Sequence, residues 1–101
     1  MDKDYIFLEN ILNRLPKDES FDLTLYYYDY KQGNSKSGIT IYFDGQRYLM
    51  ALFVNNRTFE ERYTNSLTTQ TIFDFYHDTY EKIVSARLNI NGKEIYTQVE
   101  P

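Results

Sequence analysis

A chain of 101 residues with fifteen acidic and eleven basic side chains carries a formal charge of −4; it contains eleven tyrosines but neither cysteine nor tryptophan. That length supports one domain with a single modest core. The missing cysteines exclude disulfides, thiolate zinc sites and cysteine nucleophiles, and the negative balance opposes direct binding of nucleic acid, which needs cations to displace counterions from phosphate.

The opening "MDKDYIFLENILNRLP" lacks the basic, apolar and small-residue steps of a secretory signal. No apolar run approaches the roughly 20 residues that span a bilayer. A cytoplasmic protein without a membrane partner is therefore expected. Residues 4–15 predict a helix, because Tyr5, Leu8, Leu12 and Leu15 recur at helical spacing and Ile11 widens the stripe. Pro16 stops it, since the residue before a proline is pushed out of the helical region.

The run from 21 to 31 predicts a strand rich in aromatic residues, and "QGNSKSG" a turn. A second strand follows at 39–43. Asp44-Gly45 signals a hairpin, and counting outward from it pairs Tyr42 with Arg47 and Ile41 with Tyr48. The third strand is then 47–54. Residues 55–67 read as a loop, with a short helical turn around Thr58 to Tyr63 as the other reading. Ile72, Tyr76, Tyr80 and Ile83 predict the main helix, Thr69 to Ser85, capped by the threonines before it. A second hairpin turns at Asn91-Gly92, with Leu88 opposite Ile95 and Arg87 opposite Tyr96. The expected fold is α+β in the order α-βββ-α-ββ, one domain over residues 1–101.

Strands alternate their faces, which sorts the aromatics. Leu23, Leu25, Tyr27, Ile39, Ile41, Phe43, Met50 and Leu52 share one face, enough to receive a helix. Tyr26, Tyr28, Tyr30, Tyr42, Leu49 and Phe53 fall on the other, with Arg47 placed to stack over Tyr42. Two arrangements compete. Either one helix covers each face and the tyrosines are core or rim, or both helices share one face and the tyrosines form an open patch. Open apolar patches mark interaction sites, second copies of the same chain included. An RNA-stacking platform would need a basic surround, which the composition lacks.

Catalytic signals are weak. His77 is the sole histidine, with Asp74, Asp78 and Glu81 nearby on the predicted helix; this is the pattern of a solvated polar face far more often than of a metal or general-base site. Asp44 is explained by its turn, and Asp29 sits near a strand end. Asn56-Arg57-Thr58 matches a glycosylation pattern, and Ser35 and Ser37 lie in a polar loop; neither indicates an activity. There is no phosphate-cradling glycine loop and no serine elbow. The expectation is a protein without enzymatic activity, cofactor or metal.

The order "ILNRLP", "LTLYYYDY", a turn and "ITIYF", followed later by "IFDFYHDTYEKI" and a terminal hairpin, resembles the YezG-like immunity proteins. Those proteins neutralise secreted nuclease toxins. The resemblance implies an inhibitor that binds a protein, and it carries over no residue role. Composition fits the same reading: tyrosines as anchors, and carboxylates steering toward a basic surface. The expected function is occlusion of a partner such as a nuclease, as an immunity or antitoxin protein does, or a phage anti-defence protein of the anti-CRISPR type. The expected contact residues are Tyr26, Tyr28, Tyr30, Tyr42, Arg47, Leu49 and Phe53. The alternative is an accessory module that self-associates through the same tyrosine face.

Overall fold

Antiparallel pairing organises the chain. The computed structural model describes residues 3–28, 37–76 and 82–98. Its elements run α1 (Lys3–Leu12), β1 (Phe21–Tyr28), β2 (Gly38–Phe43), β3 (Tyr48–Val54), β4 (Arg57–Thr64), α2 (Thr69–Tyr76), β5 (Lys82–Ile90) and β6 (Lys93–Gln98). All six strands form one sheet in the order β4-β3-β2-β1-β5-β6. The α+β class holds, but the predicted order α-βββ-α-ββ is overturned. A fourth strand extends the meander, and the C-terminal hairpin joins the same sheet through β1.

The extra strand occupies residues read from sequence as a loop. Asn55 and Asn56 both have positive φ, 53° and 66°, so they close a two-residue turn of the I′ kind that right-twisted strands favour. Asparagine tolerates that region better than other non-glycine residues. β4 escaped notice because it is an edge strand exposed on both faces, so no period-two alternation marks it. Its Arg57, Glu60, Glu61 and Arg62 keep the edge charged, which discourages pairing with another chain. Asn56→Gly makes the turn Asn-Gly and is expected to add about 0.5 kcal/mol to stability, whereas Asn56→Val removes more than about 1 kcal/mol. Urea unfolding of the two variants reads the difference; equal stabilities would rule the turn out.

The first hairpin also differs from expectation. Phe43 pairs with Tyr48, Tyr42 with Leu49 and Ile41 with Met50. Gly45, at φ 101°, is the first central residue and Gln46 the second, because the Asp44 carboxylate accepts the N–H groups of Gln46 at 2.8 Å and Arg47 at 3.0 Å. The register therefore moves by two residues, and a two-residue move leaves every side chain on its predicted face. At the second hairpin, Asn91 and Gly92 have φ 52° and 79°, and the predicted pairs Leu88–Ile95 and Arg87–Tyr96 are found.

The main helix is shorter than predicted: α2 is described over Thr69–Tyr76, residues 77–81 lie outside the described residues, and Lys82 already belongs to β5. The helical stripe that reached Ile83 had merged two elements. From Ser85 to Ile90 the pattern alternates, and β5 pairs with the free side of β1. That pairing satisfies a row of backbone groups that would otherwise lack partners. At the other end of α2, Thr68 caps the helix, its Oγ1 accepting the Thr71 N–H at 3.0 Å.

Both helices lie on one face of the sheet. Leu8 and Ile11 from α1 and Ile72 and Phe75 from α2 join Leu23, Leu25, Ile39, Ile41, Met50, Ala86 and Leu88 in one buried cluster. Tyr5 stacks on Phe73 with centroids 6.0 Å apart, and the Thr69 hydroxyl donates to Glu9 Oε1 at 2.6 Å; these two contacts tie α1 to α2. After Leu12 the chain tightens through short-range bonds, Arg14 N–H to the Ile11 carbonyl at 2.9 Å and Leu15 N–H to Leu12 at 3.3 Å. Among the described residues no helix is long and apolar enough to cross a membrane.

Candidate functional site

Among the described residues the opposite face receives no helix, so the second of the two expected arrangements is the one found. Strand pairing lays its side chains out in three rows that cross the strands. The first row runs Asn89, Asp22, Tyr42, Leu49, Tyr63, from β5 to β4. The middle row runs Arg87, Thr24, Thr40, Ala51, Glu61. The third runs Ser85, Tyr26, Gly38, Phe53, Thr58.

The rows differ in height. Thr24 and Ala51 are buried, and the Thr24 and Thr40 hydroxyls are 3.3 Å apart. The middle row is therefore a low floor. Tyr26 and Phe53 rise on one side and meet edge to face, centroids 6.2 Å apart, above Gly38. Tyr42 rises on the other side and is 49% exposed. Together with Thr24, Thr40, Ala51, Asn56, Thr58 and Arg87 these rings enclose a trough of about 280 Å³. Beyond Tyr42 a second groove, about 400 Å³, opens among Asp22, Leu49, Tyr63, Arg47 and the Asn91-Gly92 turn. One half-exposed tyrosine thus divides two concavities on a rigid, hydrogen-bonded platform.

Of the expected contact residues, Tyr26, Tyr42, Leu49 and Phe53 share this face, and Arg47 sits at its end. Tyr28 pairs with Lys82 through its backbone, while its side chain, and Tyr30 entirely, lie outside the described residues. So do Asp29, Ser35, His77, Asp78 and Glu81. One expectation is corrected: Arg47 stacks on Tyr63, its guanidinium carbon 3.9 Å from the ring centre, and not on Tyr42. The expected contact presumed the other hairpin register and no fourth strand. Tyr63 was missed with β4, although "TFEERYT" after Asn-Asn carries enough β-formers to suggest a strand.

Charge around the face is mixed with an acidic excess. Among the described residues, Asp22, Asp44, Glu61 and Glu94 surround it against Arg47 and Arg87. Arg87 is engaged locally, its Nε 3.3 Å from Glu94 and its guanidinium 5.9 Å from the Tyr26 ring centre. Asp44 is held below its ordinary value of 3.8 by the backbone N–H of Arg47, then that of Gln46, with the Arg47 charge adding to them. A depressed carboxylate stabilises the fold above its ordinary value and loses that contribution as pH falls through the lowered one. The amide shifts of Gln46 and Arg47 are therefore expected to titrate with a midpoint below 3.8. A midpoint at or above that value in an NMR titration would show that the turn does not grip the carboxylate.

The arrangement can bind without reacting: aromatic walls, a hydroxyl-lined floor and a few fixed charges. Comparison with protein-family models, with curated proteins and with solved structures gives no match.

Proposed function

We propose that this chain is a small, non-catalytic inhibitor that binds a partner protein through the sheet face opposite its two described helices and occludes it. The partner would be a nuclease or other nucleic-acid-processing enzyme with a basic surface. The class of action would be that of an immunity protein, an antitoxin or a phage anti-defence protein, exercised in a cytoplasm. The observation that carries this reading is the face itself. Tyr42 and Tyr63 are 49% and 56% exposed on a sheet whose other side already holds both helices. Large rings held half in solvent on a stiff support lose little entropy on binding, which is why tyrosine dominates such contacts. The surrounding carboxylates favour approach to a basic surface and leave the anchoring to the rings.

The test is affinity capture from nuclease-treated lysate of the native host, with the folded Tyr26→Ser/Tyr42→Ser/Phe53→Ser variant alongside. The expected result is one stoichiometric partner, lost in the variant, whose own activity falls to background at a 1:1 ratio. A partner whose activity is untouched would overturn inhibition. Recovery of the chain alone, with a concentration-dependent mass that the variant abolishes, would make the face a self-association surface.

A further inference from the structure

We propose that the groove between Tyr42 and the Asn91-Gly92 turn receives one arginine side chain of the partner; this deepens, and rests on, the reading of the face as protein-binding. Three features of the groove converge on a guanidinium. Asp22 lines it, half-buried, and among the described residues its carboxylate has neither a hydrogen bond nor an ion pair. Directly opposite on β5 is Asn89, whose buried Oδ1 accepts no hydrogen bond. Of the two acceptors the buried Asn89 Oδ1 is the costly one, because native structures seldom leave a buried polar atom without a donor. The Tyr42 ring, next to Asp22 on the other side in β2, lines the same groove.

A guanidinium answers all three. Its planar fork gives the carboxylate two parallel N–H donors, leaves others for Asn89 once that amide turns outward, and offers a flat face to the tyrosine. An ammonium is a hydrated point charge and matches neither the plane nor the fork. An anion finds no place: Arg47 is the one base among the lining residues, and it is laid flat on Tyr63 beside Asp44. The charged groups of the groove, Asp22, Asp44 and Arg47, leave one negative charge in excess.

The experiment needs no partner. The isotopically labelled full chain is titrated with N-acetyl-arginine methylamide and with the lysine and glutamate analogues, while amide shifts are followed. Saturable shifts are expected at Asp22, Tyr42 and Asn89 with the arginine compound, at least about fivefold weaker with lysine, and none with glutamate. Asp22→Asn should weaken the arginine compound about tenfold, and Arg47→Gln, which removes a like charge, should strengthen it about twofold. Thermal unfolding checks each variant. If Asp22→Asn does not fold, loss in Tyr42→Ser and gain in Arg47→Gln decide the matter. No saturation with arginine, an equal response to lysine, any response to glutamate, or unchanged affinity in folded Asp22→Asn would overturn the assignment. A failed titration beside a successful capture removes only the arginine site. A failed capture beside a successful titration removes only the inhibitor reading.

Discussion

Gly38→Ala is expected to lower the unfolding free energy by about 3 kcal/mol, and the melting temperature by about 15 °C for a domain of this size. The reason is space, since Gly38 has an ordinary negative φ. A methyl group there would run into the Leu25 carbonyl oxygen and come within 3.1 Å of Phe53 Cζ. The first obstacle is backbone in the middle of the sheet, which cannot move without breaking the β1–β2 ladder. The second is the ring that meets Tyr26 above the glycine. Two large rings flanking a glycine shield the backbone where no side chain can, a recognised device of β-sheets. The substitution therefore damages stability and the third row of the binding face together. Gly45→Ala serves as the control: nothing lies within 4 Å of its Cβ position, and only its φ of 101° resists the change, so its cost should be about 1 kcal/mol. Equal costs for the two substitutions in urea unfolding would mean that β1 and β2 do not approach so closely at Gly38.

That glycine shows what a one-dimensional pattern conveys and what it conceals. Alternation in β1, β2 and β3 was legible because one face of each strand is buried, and burial imposes a period of two. The side of each described side chain in those strands followed, even where the hairpin register was off by two. β4 was illegible for the converse reason: with neither face buried, Arg57 to Thr64 had no period to display. The end of α2 was hidden by coincidence, because Ile83 falls at helical spacing from Ile72 and Tyr76 while serving β5. Tertiary pairing with β1 settled a contest that local periodicity could not.

The candidate site was legible to the same extent. Tyr26, Tyr42, Leu49 and Phe53 could be placed on one face by counting alone. Whether that face was open depended on where both helices went, and helix placement has no signature in strand alternation. The floor of Thr24, Thr40 and Ala51 could not be seen either, because small residues matter there only when three strands align them. Asp22 and Asn89 were invisible as a pair: they are 67 positions apart in the sequence and meet only because β5 returns to β1.

Ile41 and Tyr42 are neighbours in sequence, and the fold assigns them opposite consequences. Ile41 is fully buried beneath the helices, while Tyr42 is 49% exposed between the two grooves. Ile41→Ala should cost about 3 kcal/mol, from lost transfer energy and the cavity left between packed neighbours, yet leave partner affinity within about twofold wherever the variant is folded. Tyr42→Ala should cost less than about 1 kcal/mol of stability, since half its ring is already in water. Its effect on binding should be large. An aromatic anchor central to an interface, bordering both concavities, is worth 2 kcal/mol or more, or about a thirtyfold loss of affinity. Urea unfolding and titration against the captured partner measure the two quantities separately. Equal destabilisation by both variants would mean that the Tyr42 ring is packed within the monomer, and the open-face reading would fall. Tyr42→Ala with unaltered affinity would instead leave the face open but move the anchor elsewhere. Phe59, 77% exposed on the edge strand β4, is then the next residue to truncate, because it is the largest apolar group that the described fold leaves uncovered.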